Sequence, residues 1–406
     1  MKKINNIPFS PPDITNQEIE EVVDTLRGSW ITTGPKTKKF EEEISKLCGT
    51  KKTVCLNSAT AALELILRVL EIGPSDEVII PAYTYTASAS PVYHVGAKIV
   101  LCDSQENSFE MDYDQLEKLV NSKTKAIIGV DLAGIVCDYD KIFEIVNKKK
   151  NIFKPHGKLQ EKFGRIVVIA DAAHAIGAVR NNLHSGNIAD FTSFSFHAVK
   201  NLTTAEGGAA TWKNYDFIDD EEIYYEMQLL SLHGQSKDAL HKSGLGNWEY
   251  DIMGLYYKCN MTDIMASIGL VQLKRYDSLI QRRHDIIKKY NDAFKDLPIE
   301  VLNHADSSHK SSGHLYLVLV KNIDETMRNK IIVKMAECGV ATNVHYKPLP
   351  MFTAYKNLGF DIKDYPNAYN LYQREITLPL YSKLTDEEVD YIIKCFKKVM
   401  KDLGLC

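Results

Sequence analysis

Five short apolar runs recur between helical segments in the first half of this chain, and they constrain the fold more than any other feature. They are Glu77–Ile80, Lys98–Cys102, Ala126–Val130, Arg165–Ala170 and Phe191–Phe196. Each is nearly continuous in apolar character and rich in β-branched side chains. That is the pattern of a strand covered on both faces. Segments with helical spacing, such as Tyr113–Val120 and Tyr139–Asn147, separate several of them. The alternation predicts an α/β fold built on a mostly parallel sheet with helices on both sides.

Other elements follow from local signals. Thr15 with Glu18 three positions later predicts a capping box and a helix through Leu26. Phe40–Leu47 reads as a helix stopped by Gly49, and Thr60–Leu70 as one stopped by Gly73-Pro74. Residues 151–164 look like a polar insertion, and residues 234–250 like a second, flexible loop. From Thr262 to about Leu297 the apolar residues keep helical spacing, which predicts one long linking helix. The remainder reads as a smaller α/β unit with a strand at His314–Val320 and helices near 325–338 and 385–402. A chain of 406 residues has room for this division: a large domain with the N-terminal segment at 1–262, and the linking helix with a small C-terminal domain at 263–406.

Composition narrows the class. Hydrophobic residues make up 45% and charged residues 25%, as in ordinary soluble proteins. Lys and Arg number 49 against 53 Asp and Glu, with no long run of one sign, so neither a nucleic-acid groove nor a membrane surface is indicated. No stretch approaches the ~18 apolar residues of a membrane span, and Met1–Asn6 lacks the apolar core of a signal peptide. The eight cysteines are scattered with no CxxC pair, so no metal site is expected and most should be buried thiols of a cytoplasmic protein.

The chemistry sits where two of the runs end. Ile166–Ala170 runs into Asp171-Ala172-Ala173-His174. Ser193–Val199 runs into Lys200-Asn201 and then the turn-rich segment Thr203–Gly208. An acid at the end of one buried strand and a lysine at the end of the next fit pyridoxal 5'-phosphate (PLP), which needs a lysine for its aldehyde carbon and an acid for its ring nitrogen. A lone lysine would carry little, because most are solvated surface groups. The structural alternative for Asp171 is an arginine or a helix N-terminus as its partner. His174 can face a ring or a substrate, or serve as a satisfied structural residue. Ser195 and His197 precede the lysine at alternate positions, so on a strand they share a face.

Two further segments suit such a site. Asn57-Ser58-Ala59-Thr60 opens a helix, where free N–H groups hold a phosphate well; an ordinary N-cap explains it equally. Pro81–Ser88 follows a strand, where Tyr85 can stack on a flat ring or simply pack in the core.

In this order, these segments resemble the DegT/DnrJ/EryC1/StrS family of PLP-dependent nucleotide-sugar aminotransferases. The resemblance takes in Gly28–Pro35, Asn57–Leu63, Pro81–Ser88, Asp171–Gly177, Ser195–Gly208, Lys258–Asp263 and Val344–Pro350. Gly28-Ser29-Trp30 departs from the commoner Ser-Gly-Trp order. The resemblance implies PLP fold type I, with a seven-stranded sheet in the large domain. It implies that Lys200 binds PLP covalently and that Asp171 pairs with the pyridinium. Ser58, Ala59, Thr60 and Ser195 would take the phosphate, and Tyr85 would stack on the ring. Asn260 resembles the asparagine that reaches the phosphate from a partner subunit, which implies a homodimer with shared sites. Thr32, His233 and Tyr346 resemble positions facing the sugar or nucleotide. The dehydratase branch carries histidine at the lysine position, so Lys200 favours transamination. The implied substrates are glutamate and a nucleotide-linked 4-keto-6-deoxy sugar, with UDP-linked 2-acetamido sugars ahead of dTDP sugars. A PLP-binding regulator without turnover is the alternative.

Overall fold

The computed structural model describes residues 6–236 and 249–406. Seven strands form the main sheet: β1 (Thr53–Leu56), β2 (Glu77–Pro81), β3 (Lys98–Cys102), β4 (Thr124–Val130), β5 (Val167–Asp171), β6 (Phe191–Ser195) and β7 (Gly208–Trp212). Their spatial order is β1-β7-β6-β5-β4-β2-β3. β7 runs antiparallel to both of its neighbours, and the other pairings are parallel. Alternate side chains feed two cores. Val78, Ile80, Ile128 and Ile169 pack on one face, and Ile79, Ile127 and Val168 on the other. Of the helices α1 (Asn16–Arg27), α2 (Pro35–Cys48) and α3 (Ala59–Val69), α3 covers the first face with Leu63 and Ile66, and α2 the second with Phe40 and Ile44.

A buried ion pair ties the central strands together. Both arms of the Arg165 guanidinium reach Asp190, at 2.7 and 2.8 Å, and Asp190 also accepts from the Val168 N–H at 2.8 Å. This bidentate contact holds the start of β5 against the entry to β6. The carboxyl ends of those strands carry the candidate site.

The capping box at Thr15 and Glu18 is present, and α1 runs one residue further than expected, to Arg27. The expected strand Arg165–Ala170 is shifted to Val167–Asp171, because Arg165 leaves the ladder to meet Asp190. The long helix expected from Thr262 breaks at Arg275 into α4 (Asp263–Lys274) and α5 (Tyr276–Phe294). At the break the Arg275 side chain is drawn onto Glu18 and Asp13, at 2.9 and 3.1 Å. A single non-helical residue leaves the apolar spacing nearly continuous, so periodicity alone does not reveal it. The insertion at 151–164 contains the short helix Lys158–Phe163, which buries Leu159 and Phe163. Most of the expected loop at 234–250 lies outside the described residues.

Beyond α5, β8 (Ile299–Val301), β9 (Tyr316–Val320) and β10 (Glu375–Leu378) form an antiparallel sheet in the order β8-β9-β10. His314, expected at the head of the strand, lies in the loop before β9. The helices Glu325–Glu337 and Asp386–Asp402 pack with α5 around this sheet. Ile7 joins the same core and pairs with the backbone of Gly339 and Ala341, so the N-terminal segment is tied to the C-terminal third. Among the described residues no helix is long and apolar enough to cross a membrane.

Candidate active site

A cavity of about 520 Å³ opens beyond the carboxyl ends of β4, β5 and β6. This is where open α/β sheets place their ligands. Ser58, Ala59, Thr60, Tyr85, Asp171, His174, Ser195, Lys200 and Tyr346 all line it. They come from segments nearly 290 residues apart in sequence, which only tertiary folding can join.

Lys200 does not end a strand. β6 stops at Ser195, and Lys200 sits in a turn closed by its own N–H donating to the His197 carbonyl at 2.9 Å. Ser195 and His197 therefore share the cavity by way of this turn rather than by strand alternation, with the His197 N–H donating to Ser195 Oγ at 3.4 Å. Crowding by protein atoms pulls the Lys200 ammonium down to a pKa of about 8, while the charge of Asp171 opposes that shift. An appreciable fraction of the amine is thus neutral near physiological pH.

Asp171 ends β5 and is almost fully buried. Burial raises its pKa, and three features oppose the rise: Ser88 Oγ donating to Oδ2 at 2.6 Å, the Ala173 N–H donating to Oδ1 at 3.2 Å, and nearby Lys200. Ser88 is itself held by Thr84 at 2.8 Å. The carboxylate is oriented from one side by a hydroxyl and a backbone amide, and it has a cation nearby.

His174 is buried beside Lys200 and His345, and desolvation drives its pKa well below the usual histidine value. It is neutral. Its Nδ1 accepts the Ala133 N–H at 3.2 Å, so the ring proton resides on Nε2. Nε2 therefore donates to Tyr346 Oη at 3.0 Å. Burial raises the Tyr346 pKa, so its phenol keeps its proton and can donate it elsewhere in the cavity. Tyr85 stands opposite, more than half exposed, with its ring centroid 5.7 Å from that of Tyr346. His314 backs His174 at 4.3 Å between ring centroids and is fixed by Asn201, the residue after Lys200.

The first turn of α3 forms the remaining wall. Ser58 caps the helix by accepting the Ala61 N–H at 3.1 Å, so the capping reading and the cavity-lining reading hold together. The earliest N–H groups of a helix have no partner within it, and they suit an anion. β7 approaches this turn so closely that a Cβ on Gly208 would lie 2.3 Å from Ala59 N.

Three expected residues lie elsewhere. Thr32 is exposed, and its carbonyl accepts the Asp263 N–H at 3.0 Å. Asn260 donates to Thr33 Oγ1 at 2.5 Å and also bonds to Lys258. Asp263 caps α2 by accepting the N–H groups of Gly34 and Thr37, at 2.9 and 2.8 Å. Within one chain, then, the segments 28–35 and 258–263 clasp one another away from the cavity. His233 is exposed in a turn after the helix Asp220–Ser231 and does not line the cavity either. Conversely, the cavity includes Asp131 and His345, which the sequence did not single out. The signal for Asp131 was available: the run Ala126–Val130 ends in an acid, just as Ile166–Ala170 does.

The profile of the DegT/DnrJ/EryC1/StrS aminotransferase family matches residues 12–397. The chain belongs to that family. Among family relatives, the spore coat polysaccharide biosynthesis protein SpsC of Bacillus subtilis is 38% identical over 406 residues, covering 98% of each chain. The candidate sugar aminotransferase Spr1654 of Streptococcus pneumoniae, solved in a PMP-form, is 62% identical with a TM-score of 0.96, covering 98% of this chain and 100% of that one. A PLP-form of Spr1654 is 60% identical with a TM-score of 0.95, covering 98% and 99%. PseC of Helicobacter pylori, an aminotransferase involved in pseudoaminic acid biosynthesis, is 28% identical with a TM-score of 0.85 over 98% and 100%.

Proposed function

We propose that this protein is a PLP-dependent sugar aminotransferase that moves an amino group from L-glutamate to the keto carbon of a nucleotide-linked 4-keto-6-deoxy sugar. UDP-linked 2-acetamido sugars come first, and dTDP-linked sugars second. One observation carries the reading: Lys200, Asp171 and the first turn of α3 meet in a single cavity. An amine, an acid and a helix N-terminus are the donor set that PLP requires. Membership of an aminotransferase family and the PLP- and PMP-forms of Spr1654 support it.

When bound, PLP supplies an electrophilic carbon for amines and a ring that withdraws electrons from the adjoining carbon. The chain supplies the rest. Lys200 Nζ, partly neutral through burial, is the amine that would hold the cofactor; once released, it would take the proton from the donor's α-carbon and deliver it to the cofactor. Asp171 keeps the ring nitrogen protonated, helped by Ser88 and Ala173. Ser58, Ala59, Thr60 and Ser195 hold the phosphate. Tyr85 covers the ring, and Tyr346, oriented by His174, offers its hydroxyl proton to a substrate oxygen.

We further propose a homodimer with shared sites. Asn260 stands outside its own chain's cavity, and Met253 and Leu255, five to seven residues before it in sequence, are exposed apolar side chains. In this reading Asn260 reaches the phosphate of a neighbouring copy's site, and Thr32 and His233, also outside, face the sugar or nucleotide there.

Borohydride reduction followed by peptide mass mapping tests the cofactor assignment, with the pyridoxyl group expected on Lys200. A panel of nucleotide keto-sugars offered with glutamate tests the substrate. The expected result is a product carrying nitrogen from 15N-glutamate, formed fastest with the UDP-linked 2-acetamido sugar. Exchange between free amino and keto acids with no sugar accepted would refute the substrate class. PLP binding with no turnover of any kind would favour a regulatory protein.

A further inference from the structure

Asp131 follows β4 directly and is 1% exposed, yet it lines the cavity. Its backbone N–H donates to the Asp171 carbonyl at 3.0 Å, so the two acids sit on adjacent strand ends. The side chain is lopsided. Oδ1 accepts twice, from the Cys137 N–H at 3.0 Å and from Tyr139 Oη at 2.9 Å. Oδ2 is buried and has no hydrogen-bond partner among the described residues. A buried carboxylate oxygen without a partner is costly, whereas the hydroxyl oxygen of a neutral acid can wait for an acceptor. Doubly accepting Oδ1 matches the carbonyl end of a carboxylic acid, and lone Oδ2 matches its hydroxyl end.

We propose that Asp131 is a second acid of the active site, held protonated on Oδ2 and donating that proton to an acceptor oxygen of the bound cofactor or substrate. The charges around it favour this division. Asp171 faces it from β5, and two neighbouring buried carboxyls do not both ionise readily. Tyr139 and Cys137, from the segment after β4, are held neutral by burial. Lys200 and His174 line the same cavity, and Lys200 lies nearer to Asp171 in its electrostatic effect. Desolvation, reinforced by Asp171, lifts Asp131 to a pKa of about 7. The turn that follows also serves the site, since the Ala133 N–H fixes His174.

The donor role rests on the functional reading above, but the proton itself can be read without cofactor or substrate. In the cofactor-free protein labelled with 13C at aspartate carboxyls, the resonance lost in Asp131→Asn should titrate near neutral pH. If that resonance is already ionised at pH 5, the proposal is wrong. In the loaded enzyme, Asp131→Val should lower kcat/KM about tenfold or more. Asp131→Asn, which keeps one acceptor and one donor, should recover most of that loss. It should also remove an inflection near neutral pH from both the kcat/KM profile and the absorbance of the bound cofactor. An inflection that persists in Asp131→Asn, or an Asn variant no better than Val, would overturn the donor role. If borohydride instead placed PLP on another lysine, the functional reading would fall while the carboxyl titration still reported on Asp131.

Discussion

At the scale of single residues, the cavity shows how burial and partners assign different tasks to chemically similar groups. Asp171 has a hydroxyl, an amide and a nearby ammonium to favour its charge. Among the described residues, Asp131 meets neutral donors and the field of Asp171. His174, with a backbone N–H on Nδ1, becomes a donor toward Tyr346 rather than a base. Replacing Asp171 by Asn keeps size but removes the charge opposite the ring nitrogen. The single-turnover rate with glutamate should fall about a hundredfold or more while PLP is still retained. Stopped-flow absorbance is the measurement, and a near-normal rate would make Asp171 a structural acid.

At the scale of elements, the decisive contact is the approach of β7 to the head of α3. Gly208 permits it, since any side chain there meets the backbone of Ser58 and Ala59. Ser193 Oγ adds a bond to the Ala59 carbonyl at 3.0 Å, so β6 and α3 are held together just where a phosphate would sit. Gly208→Ala should therefore act on the helix start rather than on the core. We expect a loss of about 1–3 kcal/mol in stability from overpacking, with weaker PLP retention than that loss explains. Denaturation with and without saturating PLP separates the two effects. Equal destabilisation in both conditions would show that the α3 turn takes no part in binding.

At the scale of the whole molecule, the proposed dimer makes a prediction that no single-chain change can. Lys200→Ala and Asn260→Ala proteins, mixed under subunit exchange, form hybrids with one doubly altered site and one site free of both changes. Activity should rise above both parents, provided Asn260→Ala alone is clearly impaired. Hybrids confirmed by differential tags but showing no rise would place Asn260 in its own chain's service, where its bond to Thr33 already sits.

Local chemistry made much of this legible before folding was considered. Five apolar runs specified the core of the sheet, because a strand covered on both faces must be apolar throughout. The capping box at Thr15, the acid after Ala170 and the lysine after Val199 are likewise short-range signals. β7 escaped because Gly208-Ala209-Ala210 has little strand character of its own. The break at Arg275 escaped because its cause lies in Asp13 and Glu18, some 260 residues away. The site divides along the same line. The sequence, read with the family resemblance, named Lys200, Asp171, His174, Ser195, His197 and Tyr346 among the residues that line the cavity. The tertiary structure alone showed that Asp131 shares it, that His174 points its proton at Tyr346, and that Thr32, His233 and Asn260 lie outside it. Residue type and spacing report what a chain can do within a few turns. Which groups meet, and in which protonation state, depends on desolvation and contacts between distant segments, and those exist only once the chain has closed around them.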